Sequence, residues 1–220
     1  MSKRAKAHIL LVDAHPVMRL GVAELIKSEG TLEICGEATN LADAYQIVAK
    51  TKPDLVITDI SLEGNSGIEL IKELAYRWVE LPVLAYSMHD EQIYAERALR
   101  AGARGYVMKN HPPEALLEAI HQILQGQIYL SKAVADRLLG KFVGAKIGVL
   151  TQSPVERLSN RELEVLQLLG KGMTTARIAE SLCLSPKTIE TYREHLKQKL
   201  NLESGPQLLR YAVEWSLAQA

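Results

Sequence analysis

Residues 54–74 read DLVITDISLEGNSGIELIKEL, and the first half of the chain can be understood from this stretch. Asp54–Thr58 is a short, nearly continuous apolar run, the texture of a parallel strand buried on both faces. Asp59 closes the run, and Ile68, Leu70, Ile71 and Leu74 then recur at helical spacing. Working outward, four more apolar runs of similar length appear at His8–Val12, Leu32–Ala38, Pro82–Tyr86 and Arg104–Met108. Helically spaced stretches separate or follow them, marked by Val17, Leu20 and Leu25, by Ala42 to Val48, by Ala95, Ala98 and Leu99, and by Leu116, Ile120 and Leu124. Five strands alternating with five helices predict an open, doubly wound α/β sheet. The functional crevice of such a sheet lies at the carboxyl ends of its strands.

The texture changes after Gly126. Ser131–Phe142 reads as one amphipathic helix, and Gly144–Pro154 as a linker. From Leu158 onward the pattern is purely helical, with four short helices expected at Ser159–Leu169, Thr174–Leu182, Ser185–Leu200 and Gly205–Leu217. The division expected is 1–127, a linker with one helix over 128–155, and a helical domain over 156–220.

Bulk properties narrow the classes. The chain has 220 residues, 47% of them hydrophobic, with 26 basic and 26 acidic side chains. Residues 1–128 carry a net charge of −4, residues 129–155 of +3 and residues 156–220 of +1. That asymmetry permits a nucleic-acid partner at the second end without demanding one. No apolar run approaches the ~20 residues that span a bilayer. The basic start, Met1–Lys6, reads as a solvated tail because a strand-like segment follows it directly. Cys35 and Cys183 have neither metal-ligand nor disulfide-framework spacing, which suits a reducing, cytoplasmic setting. There is no Gly-x-Ser-x-Gly elbow, P-loop or dinucleotide glycine motif, so the chain reads as a non-enzyme.

Chemistry collects at the strand ends. Asp13 ends the first strand and Asp59 the third, Ser87 follows the fourth, and Lys109 follows the fifth. Two carboxylates, a hydroxyl and an ammonium on one rim suit phosphoryl transfer to a carboxylate. An aspartate is a weak nucleophile and the phosphoryl group is already anionic, so a divalent metal and a lysine are needed to offset the repulsion. Each group alone has a plainer reading. An Asp after a strand is commonly a turn former, Ser87 in Ser-Met-His-Asp reads as a helix cap, and a single Lys is a surface residue.

The segments HILLVDAHPVMR, DLVITDISLEGNSGIELIKEL, PVLAYSMHDE and ALRAGARGYVMKN resemble receiver domains of NarL/FixJ-type response regulators, in order and spacing, over the first 125 residues. The resemblance implies a flavodoxin-like sheet in the order 2-1-3-4-5. It implies Asp59 as phosphoacceptor, Ser87 and Lys109 as contacts of the transferred group, and Tyr106 as a switching aromatic. A Mg²⁺ site would be formed by Asp13, Asp59 and the carbonyl of Ser61. This chain departs from the family pattern at Ala14, where a second acid is usual. A methyl group cannot ligate a hard cation, so weak Mg²⁺ binding is expected. Glu63 stands where a proline is common and reads as a solvated loop acid, with a partial metal contact as the second reading. His15 reads as a cap of the first helix and not as a replacement ligand.

In the second half, Ser159 with Glu162 forms a capping box, and Ser185-Pro186 starts a helix with Ser as N-cap and Pro at the first position. A short helix, a tight turn and a capped polar helix fit a helix-turn-helix, and on pattern alone fit a small helical bundle equally. Residues 158–202, LSNRELEVLQLLGKGMTTARIAESLCLSPKTIETYREHLKQKLNL, are similar throughout to LuxR-type DNA-binding domains, which favours the former. Lys187, Thr188, Arg193 and Lys197 are expected on phosphates, and Glu190, Thr191 and Glu194 at base edges. Ile189, His195, Leu196 and Leu200 are expected to pack inward. On the last helix, Leu208, Tyr211, Ala212 and Trp215 are expected at a two-fold interface on DNA. The function expected is a transcription factor gated by phosphorylation of Asp59, with double-stranded DNA, a sensor histidine kinase and a second copy as partners. The alternative is a receiver that regulates without phosphate because of Ala14.

Overall fold

The computed structural model describes residues 6–63, 65–145 and 154–217, with side chains omitted at 65, 141–145 and 156. Part of the expected linker, 146–153, lies outside the described residues. The chain divides into two compact units, Met1–Ile147 and Gly148–Ala220.

The first unit is built on five parallel strands, β1 (Ala7–Val12), β2 (Leu32–Ala38), β3 (Leu55–Thr58), β4 (Val83–Ser87) and β5 (Gly105–Met108). Their spatial order is β2-β1-β3-β4-β5, the order the resemblance to receiver domains implies. The order reverses beside β1, so β1 and β3 open a crevice between their ends. Helices α1 (Pro16–Glu29), α2 (Leu41–Thr51), α3 (Gly67–Arg77), α4 (Glu91–Ala101) and α5 (Pro113–Leu124) connect or follow the strands. The central strands are dry: Ile9, Leu10, Leu11, Val12, Leu55, Val56 and Ile57 are all buried. Each such side chain contributes about 1.5–3 kcal/mol through removal of apolar surface from water. That burial fixes the register, because a one-residue slip would turn every side chain to the opposite face.

The sequence pattern missed a two-residue hairpin, in which Ser61–Leu62 pairs with Asn65–Ser66 between β3 and α3. It is too short for a periodicity signal. Gly67 ends it, donating its N–H to the Ile60 carbonyl at 2.7 Å. A β-carbon at Gly67 would lie 1.8 Å from the Asp59 carbonyl oxygen, so only glycine allows this close return. Beyond α5, Tyr129 bridges the backbone of β5 and covers that sheet edge. Helix α6 (Lys132–Ala145), assigned from sequence to the linker segment, belongs to the first unit.

The second unit starts with a 3₁₀ turn, Pro154–Arg157, followed by α7 (Asn160–Gly170), α8 (Thr175–Ser181), α9 (Pro186–Leu200) and α10 (Gly205–Leu217). The capping box forms as expected: Ser159 N–H donates to Glu162 Oε2 at 2.7 Å, and Glu162 N–H to Ser159 Oγ at 3.3 Å. Ser185 caps α9 by accepting from Thr188 N–H at 3.1 Å, with Pro186 at the first helical position. Between α8 and α9 the chain turns through Cys183, which takes a left-handed φ of 52°. Leu163, Leu166, Ile178, Ile189, Leu196, Leu208 and Ala212 form the buried centre. His195, expected to pack inward, is instead exposed and lies 3.6 Å from Glu162. An imidazole can stay hydrated there while pairing with a buried carboxylate.

Candidate functional site

The sheet brings the expected strand-end residues together through its backbone. Asp59 N–H donates to the Val12 carbonyl at 2.9 Å, which sets the start of one loop beside the end of the neighbouring strand. Lys109 N–H donates to the Ser87 carbonyl at 2.8 Å and does the same for β4 and β5. Asp13, Asp59, Ser87 and Lys109, spread over 97 positions, therefore meet in one pocket.

Its geometry is tight. Lys109 Nζ lies 2.6 Å from Asp13 Oδ2 and 2.6 Å from Asp59 Oδ2. The lysine side chain is 1% exposed and both carboxylates are 3% exposed. Ser87 Oγ donates to Asp59 Oδ1 at 2.6 Å, and that oxygen also accepts the Ile60 N–H at 2.6 Å. Asp59 is thus held at both oxygens by donors from different elements. Ser87 does not cap α4; Asp90 does, accepting from Gln92 N–H at 2.8 Å. The Ser87 hydroxyl serves the pocket because Asp90, three residues on, is the acceptor that caps the helix. Tyr86 lines the inner wall, its ring centroid 6.0 Å from Lys109 Nζ. Burial raises the Tyr86 phenol above its ordinary range.

Tyr106 points inward and is 1% exposed. Its hydroxyl donates to the His89 carbonyl at 2.8 Å, tying β5 to the loop that follows Ser87. Burial, with the nearby Tyr94 and Asp59 adding to it, pushes its pKa well above the usual phenol range, so it remains a neutral donor. The same loop reaches across the pocket mouth, where His89 Nε2 lies 2.8 Å from Ser61 Oγ.

Around the pocket one sequence expectation holds and one needs correction. Glu63 is the exposed loop acid expected, its Oε2 accepting from Thr39 Oγ1 at 3.2 Å. His15 occupies the N-cap position of α1 but makes no side-chain capping bond. Its Nδ1 lies 3.1 Å from Asp13 Oδ1 and 3.8 Å from Asp59 Oδ2. Asp13, His15 and Asp59 offer donor atoms that all lie within 4.8 Å of one another. The Asp-x-His spacing after a strand was the available signal, and the capping alternative masked it.

In the second unit α9 presents its polar residues outward. Lys187, Glu190, Thr191 and Glu194 are exposed, and Thr188, Arg193 and Lys197 are half-buried. Arg193 is engaged: Nη1 donates to Thr175 Oγ1 at 2.6 Å and to Glu190 Oε1 at 3.2 Å. Thr175 Oγ1 in turn donates to Glu190 Oε1 at 2.8 Å. Thr175 has no pattern that would mark it in the sequence; only the packing of α8 on α9 places it. Lys197 Nζ pairs with Glu194 Oε1 at 2.9 Å. Glu162, buried at the α7 N-terminus, accepts from Lys199 Nζ at 2.6 Å and holds α9 to α7. Of the four residues expected at a two-fold interface, Leu208 and Ala212 are fully buried in the unit's own core, which removes them from such a surface. Tyr211 and Trp215 remain partly exposed, beside exposed Leu209.

A carboxylate pocket at the carboxyl ends of a doubly wound sheet, followed by a helix-turn-helix unit, defines a phosphorelay receiver joined to a DNA-binding domain. Comparison with known proteins bears this out. Residues 9–121 match the response regulator receiver domain, and residues 156–212 match the bacterial regulatory proteins of the luxR family. The oxygen regulatory protein NreC of Staphylococcus haemolyticus is 36% identical over 212 residues, which is 95% of this chain and 98% of that protein. RcsB of Salmonella enterica serovar Typhimurium, solved on the rprA promoter with the phosphomimetic BeF₃⁻, is 26% identical. That similarity covers 94% of this chain and 98% of RcsB with a TM-score of 0.62. Another structure has two RcsB dimers on two parallel DNAs, with 25% identity, 94% and 97% coverage and a TM-score of 0.57. The chain belongs to the response regulators that join a receiver to a LuxR-type DNA-binding domain, and it is a transcription regulator of that family. Among the described residues no helix is long and apolar enough to cross a membrane.

Proposed function

We propose that Asp59 accepts a phosphoryl group, from a sensor histidine kinase or a small phosphodonor, and that this event gates DNA binding by α9. The observation that carries the reading is the grip on Asp59, with Ser87 Oγ at 2.6 Å on one oxygen and Lys109 Nζ at 2.6 Å on the other. The Asp59 carboxylate attacks phosphorus, the bond from phosphorus to the donor atom breaks, and the donor leaves with the electron pair. An acyl phosphate remains. Ser87 then donates to a phosphoryl oxygen instead of Asp59 Oδ1, and Lys109 exchanges its Asp59 contact for a phosphoryl oxygen. Tyr106 follows through the His89 carbonyl it holds, so the loop after Ser87 reports the state of the pocket.

Asp13, Asp59 and the Ser61 carbonyl would hold a divalent cation, Mg²⁺ in the simplest case. When bound, that cation offsets the charge that builds up between the carboxylate and the phosphoryl oxygens. With only two carboxylates and a lysine between them, Mg²⁺ affinity is expected to be weak.

On DNA, Glu190, Thr191 and Glu194 face base edges, while Lys187, Thr188, Arg193 and Lys197 serve phosphates. A homodimer forms on the operator through the exposed flank of α10 at Tyr211 and Trp215, in keeping with the isologous symmetry of such pairs. Incubation with a small phosphodonor and a divalent cation should give a phosphoryl adduct by mass spectrometry, absent in Asp59→Ala. No adduct from any donor, a histidine kinase included, would overturn the reading in favour of a receiver that works without phosphate.

A further inference from the structure

Ala14 leaves a methyl group beside Asp13, and Glu63, the acid closest in sequence to the pocket loop, is occupied by Thr39. The third side-chain donor beside Asp13 and Asp59 is nitrogen. His15 N–H donates to Asp13 Oδ1 at 2.8 Å, which turns the residue toward the carboxylates. Its ring then sits with Nδ1 at 3.1 Å and 3.8 Å from Asp13 and Asp59. The ring is 63% exposed while the carboxylates are buried, so the outer side of this trio faces solvent. Lys109 occupies the other side, between Asp13 Oδ2 and Asp59 Oδ2.

This donor set suits Mg²⁺ poorly, in line with the weak affinity expected for it. Mg²⁺ binds through charge and oxygen, keeps its waters and demands near-ideal octahedral geometry. Here two carboxylates are already half-neutralised by a buried ammonium, and one of three side-chain donors is an imidazole. Imidazole with carboxylate suits the later first-row ions and Zn²⁺, whose affinity for nitrogen outweighs a missing charge.

We infer that Asp13, His15 and Asp59 form a mixed imidazole–carboxylate site that takes a borderline divalent transition ion of the Co²⁺, Ni²⁺ or Zn²⁺ class in preference to Mg²⁺. The inference rests on the pocket being the cation site of the proposed phosphoryl transfer. His15 is therefore the residue that sets ion selectivity, in the place where Ala14 supplies nothing. An ion held there would be accessible to water or a phosphoryl oxygen from the exposed side of the His15 ring.

The test uses the full-length, chelator-treated protein and Co²⁺ as probe. Co²⁺ binding is followed by its visible absorption and by calorimetry, and Mg²⁺ binding by calorimetry. Expected is Co²⁺ affinity at least about tenfold above that for Mg²⁺. His15→Ala should lower Co²⁺ affinity by about tenfold or more and shift the spectrum toward all-oxygen ligation, with Mg²⁺ affinity unchanged. Ala14→Asp should raise Mg²⁺ affinity. His121→Ala, which removes the separate pair with Glu29, should change nothing, and circular dichroism checks that each variant is folded. Equal affinities for the two ions, or a Co²⁺ spectrum unaltered by His15→Ala, would overturn the inference. Phosphoryl adduct formation is scored in the same samples. An adduct formed equally well with Mg²⁺ in wild type and His15→Ala, together with that unaltered spectrum, sinks the ion inference and keeps Asp59 as acceptor. Co²⁺ held through His15 with no adduct from any donor keeps the site and sinks the acceptor.

Discussion

Replacing Lys109 by methionine removes one ammonium from between two buried carboxylates and keeps most of the side-chain volume. The nitrogen lies 2.6 Å from an oxygen of each acid. At an effective dielectric near 20, one such pair is worth about 6 kcal/mol of gross attraction. Burying the ammonium costs several kcal/mol, which cancels much of the sum. What deletion exposes is the uncompensated charge left behind, typically about 3–5 kcal/mol for a buried pair. Ser87 Oγ and Ile60 N–H still hold Asp59 Oδ1, and His15 N–H still holds Asp13 Oδ1, so the lower half of that range is expected. The assay is urea unfolding in the presence of a chelator, followed by Trp78 fluorescence in a Trp215→Phe background that silences the second unit. With a slope of about 2 kcal/mol per molar urea, the midpoint falls by roughly 1.5–2 M. Adding Asp13→Asn and Asp59→Asn to Lys109→Met should recover at least half of the loss, because no unpaired charge then remains. A loss under about 1 kcal/mol, or an equal loss in the neutral triple variant, would show that Lys109 acts through packing and not through charge.

Three further outcomes follow from the second unit. Gly170→Ala places a β-carbon 2.5 Å from the Ala212 carbonyl oxygen and 2.9 Å from Ser216 Cβ, so α10 must shift; thermal melting of the unit should register a loss of about 1–3 kcal/mol despite alanine's better helix propensity. Burial raises the Glu162 carboxyl, but Lys199 and the Ser159 N–H and hydroxyl pull harder, and the net position is below the ordinary carboxylate range. A lowered folded pKa gives stability that is present above about pH 4.5 and lost as pH falls through the folded value, so Glu162→Gln should flatten the acid limb of urea midpoints read from Trp215. Thr175→Ala frees Glu190 and Arg193 from their shared hydroxyl; competition binding should show weaker discrimination at one base position, by part of the roughly 1–3 kcal/mol a good base contact supplies, while Thr175→Ser restores it.

The local rules were written in the chain and held. Apolar runs named the five strands, and their length and continuity named a parallel sheet, because only strands covered on both faces can dispense with polar alternation. Ser159 with Glu162 and Ser185 with Pro186 announced two helix starts, because capping is a contact between residues three apart and needs no tertiary partner. Strand-end position also brought Asp13, Asp59, Ser87 and Lys109 forward together, because β–α alternation fixes which end of every strand shares a rim. Single-residue roles were less legible. Ser87 and His15 each carried a valid capping reading, and the competition was decided by Asp90 and by the turn of the His15 backbone toward Asp13. Glu63 was legible as a solvated loop acid, but its partner was not, because Thr39 lies 24 positions earlier. Leu208 and Ala212 looked like surplus apolar surface until α7 packed over them, and Thr175 gained its partners only when α8 met α9. Contacts near in sequence obey spacing rules that any reader can apply. Contacts between distant side chains depend on which of several satisfied arrangements the packed backbone permits, and the linear order of residues does not state that choice.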